Sequence, residues 1–241
     1  MTRIFITKEN VDGETVVIKG ADSVHLCSAL RVRPGEKIVC CDGEGTDYLC
    51  VVTAASPQAT VLKTTEKIPS DSELPCRVRL YQSLPKGDKF EFIIQKAAEL
   101  GVYSITPVIS ERCISRPDEA SLRKKLVRWQ TISREAAQQS GRGVIPEICA
   151  PVTLNNALGA LPERFLKLFC YEDEKRRGLK EVLKKTDDIC VFVGPEGGYS
   201  KAEAEAAENA GLIPVSLGRR ILRTETAPLF VLSSIIYEME L

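Results

Sequence analysis

The sequence predicts an α/β fold in two parts: a small β-rich unit, then a mostly parallel sheet with helices on both faces. Three observations carry this. Short apolar runs separated by tight-turn residues fill the chain from Met1 to about Lys67. From Cys76 onward, apolar runs alternate with helical patterns, as βαβ units require. Between the two, Thr64 to Pro75 is polar and holds Pro69, Ser70, Asp71, Ser72 and Pro75, the composition of a linker. The expected domains are residues 1–70 and 74–241.

In the first part, Arg3–Ile6, Thr15–Ile18, Glu36–Cys41, Tyr48–Thr53 and Thr60–Glu66 read as strands. Val11-Asp12-Gly13, Pro34-Gly35 and Asp42-Gly43-Glu44-Gly45 supply turns between them. Five short strands with tight turns predict a small barrel. Ser23 is placed to cap a short helix running through Leu30. In the second part, Val78–Gln82 reads as a strand. Asp88–Leu100 follows as a helix with Phe90, Ile93, Ile94 and Ala97 on one face and Gly101 as its stop. Ser104–Val108 is a strand, Leu122–Ser140 a long helix, Phe165–Tyr171 a strand and Gly178–Lys184 a helix.

Composition narrows the function classes. The 33 basic and 33 acidic residues cancel, so any nucleic-acid contact must come from a local patch rather than from net charge. One window is locally basic. Residues 112–142 hold Arg112, Arg116, Arg123, Lys124, Lys125, Arg128, Arg134 and Arg142 against Asp118, Glu119 and Glu135. Such a run is either a solvated helix face or an RNA contact. Arg31 and Arg33, after the short helix, have the same two readings. Trp129 reads as core. The two ends read as lacking a secretory h-region, and no apolar run is long enough to span a membrane as a helix, so a cytoplasmic protein is expected. Its nine cysteines are scattered without a C-x-x-C pair, and there is one histidine, His25. A metal site is therefore not expected, and the thiols read as reduced.

The stretch from Ile189 to Leu241 organises the rest. An apolar run, Ile189–Val193, enters Gly194-Pro195-Glu196-Gly197-Gly198, and a charged helix follows from Ser200 to Ala210. A second apolar run, Ile213–Leu217, enters Gly218-Arg219-Arg220-Ile221-Leu222-Arg223-Thr224-Glu225-Thr226-Ala227, and an apolar segment, Pro228–Leu241, closes the chain. Ligands of open α/β sheets sit beyond the carboxyl ends of strands, where such loops converge. Neither a G-x-x-x-x-G-K-[ST] nor a G-x-G-x-x-G motif is present, and Glu196 would repel a phosphate. The first loop thus suits a neutral or cationic small molecule, or is a plain turn.

These two motifs together are similar to the cofactor-binding end of SPOUT-class RNA methyltransferases. More narrowly, the chain resembles the bacterial family that methylates N3 of a uridine in 16S ribosomal RNA. The resemblance extends to H-L-C-S-A-L-R-V-R-P-G-E at His25–Glu36, K-G-D-K-F-E-F-I-I-Q-K-A-A-E-L-G-V at Lys86–Val102 and R-E-A-A-Q-Q-S-G-R at Arg134–Arg142. It implies a PUA-like RNA-binding barrel at the N-terminus and a C-terminal trefoil knot. It also implies S-adenosylmethionine held by the backbone of Gly194, Pro195, Glu196, Gly197 and Gly198 and of Leu217, Gly218, Ile221 and Leu222. The strand end at Tyr171 and Glu172 forms the third wall, where this chain departs from the family's frequent His or Pro. A homodimer is implied as well, and Pro228–Leu241 is either its interface or part of the chain's own core. The expected partner is 16S rRNA or the small ribosomal subunit. The RNA-facing candidates are Arg31, Arg33, Lys86, Arg112, Arg116, Arg123, Lys124 and Arg134. A related enzyme acting on tRNA, or a non-catalytic RNA-binding assembly protein, are the rival readings.

N3 of uracil carries a proton and is a poor nucleophile while it does. The usual base, histidine, occurs only at His25, in the wrong domain. Either a carboxylate, Glu225 or Glu196, takes the proton, or a cation, Arg223 or Arg142, stabilises charge on the neighbouring carbonyl oxygens. The cation is the favoured route, with Arg223 foremost and with Ile221 and Leu222 expected to face inward.

Overall fold

The structure, a computed structural model, describes residues 1–241. The chain falls into two units, one of Met1–Glu73 with Ala137–Ile145, the other of Leu74–Ala136 with Pro146–Leu241. The first unit thus takes in a segment, 137–145, that lies beyond the expected boundary.

The first unit is a six-stranded sheet made of β1 (Thr2–Phe5), β2 (Val11–Asp12), β3 (Thr15–Lys19), β4 (Lys37–Cys41), β5 (Thr46–Ala55) and β6 (Ala59–Pro69), in the order β1-β4-β5-β6-β3-β2. Only β1 and β4 pair in parallel. Alternation along β3 and β4 sends Val16, Ile18, Ile38 and Cys40 into one core with Ile4, Leu26, Val52 and Leu62. β6 runs through Pro69, so the first half of the expected linker is strand. Ser23 does not cap its helix, a correction to the sequence reading. α1 (Gly20–Val24) starts three residues earlier, and the Ser23 hydroxyl is buried against the Ser56 carbonyl and Thr60 Oγ1, both at 2.8 Å. A hydroxyl committed to a distant turn is not free for its own helix.

The second unit is a seven-stranded parallel sheet. Its strands are β7 (Arg77–Ser83), β8 (Ser104–Ile109), β9 (Glu147–Ile148), β10 (Val152–Thr153), β11 (Leu166–Cys170), β12 (Asp188–Val193) and β13 (Ile213–Val215). The order is β10-β8-β7-β12-β11-β13, with β9 also paired to β8. The helices are α2 (Lys89–Glu99), α3 (Glu119–Gln139), α4 (Leu154–Gly159), α5 (Leu179–Val182), α6 (Lys201–Asn209) and α7 (Ala227–Met239). β12 is buried along its whole length, as a central strand covered on both faces must be. One face packs against Phe90, Ile93 and Ile94 of α2 and Val231, Leu232 and Ile235 of α7. The other packs against Leu154, Tyr199, Ala204 and Ala207. Trp129 is core, its ring 4.5 Å from Phe90 in an edge-on contact. α3 begins at Glu119 rather than Leu122, because the Asp118 carboxylate accepts the Ser121 amide at 2.7 Å.

Burial takes charges only in pairs. Asp188, at the start of β12, receives Arg79 at 2.6 Å and Arg77 at 3.0 Å. Burial pushes its carboxyl up, but hydrogen bonds from Arg79 and Arg77 outweigh that and hold it below the usual aspartate range. All nine cysteines are free thiols, seven of them buried. No helix is long and apolar enough to cross a membrane.

Candidate active site

The site lies in the second unit, beyond the carboxyl ends of β11, β12 and β13. The strand order places β11 between β12 and β13, so the loops after all three meet around one cavity of about 530 Å³. That is within the size range of small-molecule sites.

The first loop is shaped by its glycines and by two braces. The Gly198 amide donates to the Pro195 carbonyl at 3.0 Å, closing a turn that leaves Gly198 at φ +64°. A Cβ there would be in a strained backbone state and would collide with the Glu172 carboxylate. At Gly194 a Cβ would stand 3.3 Å from the ring of Tyr199, which is stacked on Phe169. Ser200 then starts α6 with a reciprocal capping box to Glu203. The loop after β8 buttresses this corner. Arg112 donates to the Gly197 carbonyl at 2.7 Å, and Glu111 accepts from the Ser200 hydroxyl at 2.7 Å.

The second loop is stitched to the first through Thr224. Its buried hydroxyl donates to the Gly194 carbonyl at 2.7 Å and accepts from Gln82 Nε2 at 3.1 Å. Gln82, at the end of β7, is fully buried, and its Oε1 has no partner. The Arg223 carbonyl accepts the amides of Thr226 and Ala227, which opens α7.

Lys89, in the first turn of α2, ties the two loops together from one side. Its Nζ is 3.2 Å from Glu196 of the first loop and donates to it. It also lies 3.3 Å from Glu225 of the second, close enough for attraction but out of line for a hydrogen bond. Burial pushes the Glu196 carboxyl up, but donation by backbone amides, including that of Lys86 at 3.1 Å, and by Lys89 holds it below the usual range. Glu196 is therefore a committed carboxylate at neutral pH. The sequence reading passed over Lys89, though a lysine in the first turn of a helix, against the macrodipole, is itself a signal of a partner elsewhere.

The cavity gathers every residue expected to hold a cofactor: Tyr171, Glu172, residues 194–198, Leu217, Gly218, Ile221 and Leu222. Arg223 lines it too and is exposed. Glu225 sits behind Lys89. Ile221 does not face inward as expected. Its side chain is 86% exposed, because the loop turns outward after Gly218 at φ +108°. Arg142 is placed in the first unit, 3% exposed and ion-paired with Glu73, whose Oε1 also accepts the amides of Gly143 and Val144. That is a structural anchor, not an aqueous cation.

The RNA-facing candidates scatter. Arg31 and Arg33 are exposed in the first unit, Arg31 at φ +53°. Lys86 is exposed beside the first loop, while Arg112 is spent on Gly197 and Arg116 on the carbonyls of Cys113 and Glu111. On α3, Arg123 lies 3.9 Å from Glu119, Lys124 is exposed and Arg134 is half-buried.

A glycine-cornered cavity at the carboxyl edge of a parallel sheet, in a chain that also carries a small β-unit, is the class of architecture that known proteins now specify. Residues 72–236 match the RNA methyltransferase domain family, and residues 18–63 the RNA methyltransferase PUA domain. Ribosomal RNA small subunit methyltransferase E from Bacillus subtilis is 34% identical, over 100% of this chain and 98% of that protein. The Synechocystis protein of the same name is 35% identical, over 97% of this chain and 76% of its own. The Neisseria gonorrhoeae methyltransferase E, solved bound to S-adenosyl methionine, superposes with a TM-score of 0.90 at 35% identity, covering 98% of this chain and 97% of that one. A Legionella pneumophila methyltransferase with bound SAM gives 0.89 at 30% identity, covering 98% and 97%. The chain belongs to the ribosomal RNA small subunit methyltransferase E family, within the SPOUT RNA methyltransferases.

Proposed function

We propose that this protein uses S-adenosylmethionine to methylate N3 of a uridine in 16S rRNA, in the cytoplasm, as a homodimer. The observation that carries the reading is the cavity itself, in which both polar loops and the end of β11 converge with Arg223 on the wall. The cavity fits the cofactor. Its size suits a nucleoside-sized guest, the Gly198 turn lets backbone approach closely, and the Glu172 carboxylate in its wall favours a cationic one. Residues 194–198 and 217–222 hold it by main chain, with Tyr171 and Glu172 opposite. When bound, the cofactor supplies an electrophilic methyl group on a sulfonium.

The chain's residues do the rest. Glu196 is held charged by its donors and braces the loop rather than titrating. Glu225 is ion-paired with Lys89 at 3.3 Å and does not line the cavity. Arg223 is the remaining group with the right chemistry. Its guanidinium has fixed donors and keeps its charge at any working pH. As N3 loses its proton to water, charge spreads to the two neighbouring carbonyl oxygens, and a donor aimed there is strongest in the transition state. Holding N3 in line with the methyl supplies up to roughly 7–11 kcal/mol.

The first unit, in this reading, closes as a PUA-like barrel and binds RNA through Arg31 and Arg33. The match of residues 18–63 to a PUA model supports it. The C-terminal chain is threaded as a trefoil knot, which the likeness to the SAM-bound relatives supports. The experiment is nucleoside mass spectrometry of 16S rRNA from a deletion strain. Loss of 3-methyluridine, restored by the gene, is the expected result. An unchanged nucleoside profile would exclude the reading.

A further inference from the structure

N3 lies on the Watson–Crick edge of uracil, so a stacked and paired uridine hides it. An enzyme that works on such an atom must take the base out of the stack or capture it already out. The cavity must therefore come with something at its mouth that handles RNA. The basic window of residues 112–142 does not provide this at the mouth: none of its residues lines the cavity, and Arg112, Arg116 and Arg128 are committed to protein partners.

The second polar loop has the required character. Arg219, Arg220 and Ile221 all line the rim of the cavity, and all three side chains point to solvent. Ile221 is 86% exposed, more than any large apolar side chain except the C-terminal Leu241. At that exposure the side chain buries almost none of its apolar area in the fold and leaves it free for a ligand. Lys175 also lines the cavity and is exposed, but its ammonium donates to the Glu172 carbonyl. Exposed cations clustered at the mouth attract a phosphate chain to it.

We infer that Ile221 is an apolar wedge that enters the RNA base stack beside the target uridine, while Arg219 and Arg220 hold the flanking phosphates. The inference rests on the proposed uridine methylation and names how that site takes its substrate. Apolar side chains inserted between base steps are a known way to hold a nucleic acid unstacked. Arg supplies forked donors suited to phosphate oxygens.

The test uses small ribosomal subunits from the deletion strain as the RNA probe, with the wild-type protein as reference. Ile221→Ser should slow single-turnover methyl transfer by about tenfold or more, since the cost of unstacking a base is at least that large. Ile221→Leu should keep most of the rate. Because residue 221 is proposed to meet the cofactor only through its main chain, both should titrate S-adenosylmethionine like wild type and sediment at the same mass. A photocrosslinking side chain at position 221 should label 16S rRNA. Arg219→Ala with Arg220→Ala should flatten the plot of log affinity against log salt by roughly 1.4, two single-strand phosphate contacts.

Crosslinking to RNA, the rate loss and the flatter slope together support the wedge. A wild-type rate for Ile221→Ser overturns it, and so does lost cofactor affinity, which would make Ile221 a cavity wall. A change in sedimenting mass would also overturn it, because a second copy of the chain would then cover Ile221 instead. If wild-type protein itself transfers no methyl group, the methylation reading fails and takes the wedge with it. If it does transfer and the variants match it, only the wedge fails.

Discussion

At the scale of single residues, charge is legible in a sequence and commitment is not. Arg142, Arg112 and Arg223 look alike as letters. One is buried against Glu73, one is bonded to the Gly197 carbonyl, and only the third stands in the cavity. Arg223→Ala should therefore cost on the order of a hundredfold in methyl transfer, similar to removing one oxyanion donor. Cofactor affinity should move much less, and Arg223→Lys should recover part of the rate. Steady-state kinetics with a separate cofactor titration checks this. A loss confined to cofactor affinity would make Arg223 a holder of the cofactor. Lys89 is the opposite case, a residue with no local motif that bridges two loops more than a hundred positions away. Its side chain is a third exposed, so each ion pair contributes modestly. Lys89→Met should weaken S-adenosylmethionine binding by roughly 3–10-fold through loosened loops, with the fold intact by circular dichroism.

At the scale of elements, the sequence reading found the long strands and the helices α2, α3 and α6 because their apolar periods are strong, whereas α7, apolar on most of its surface, was read only as an apolar segment. The misses are physical. The linker reading stopped β6 short because Lys67 and Pro69 read as polar, whereas β6 pairs with β5 as far as Pro69 against Thr46. The Ser23 cap failed because its hydroxyl is satisfied across 33 and 37 residues. The Ile221 orientation failed because a loop has no period from which to tell in from out. β12 illustrates what an element needs at its base. Asp188 has a depressed carboxyl, so its contribution to stability is present above its unfolded value of 3.8 and is lost as pH falls through the lower folded value. Denaturant unfolding at pH 6 and at pH 3 should show a drop at acid pH that is smaller in Asp188→Asn. Asp188→Asn should itself be less stable at pH 6, because Arg79 is then left half-buried without its charge partner.

At the scale of the whole molecule, the alternation of strands and helices made a parallel sheet readable, while the threading of the C-terminal chain was implied only by resemblance. No periodicity encodes a knot. Segment 137–145 joins the first unit through Ala137 and Ile145, which pack with Phe5 and Cys41. Such long-range packing leaves no mark in local pattern. α7 buries Val231, Leu232 and Ile235 in its own core yet leaves Phe230 and Tyr237 44% and 72% exposed. One face of that segment thus belongs to the chain's own core, and the other leaves apolar surface exposed, where the proposed homodimer would pack. Sedimentation at micromolar concentration should give about twice the 26.5 kDa chain mass, and a monomer with full activity would exclude an obligate dimer.

The cavity's identity as the cofactor site is tested most directly by calorimetric titration of S-adenosylmethionine into the wild-type protein and Gly198→Val. A β-branched residue cannot take φ +64° without strain, and its Cβ would collide with the Glu172 carboxylate. The wild type should bind saturably with one cofactor per chain, and Gly198→Val should lose that binding while keeping its circular dichroism spectrum. Equal affinity in the two proteins would place the cofactor somewhere other than the Gly194 loop and would contradict the site described above.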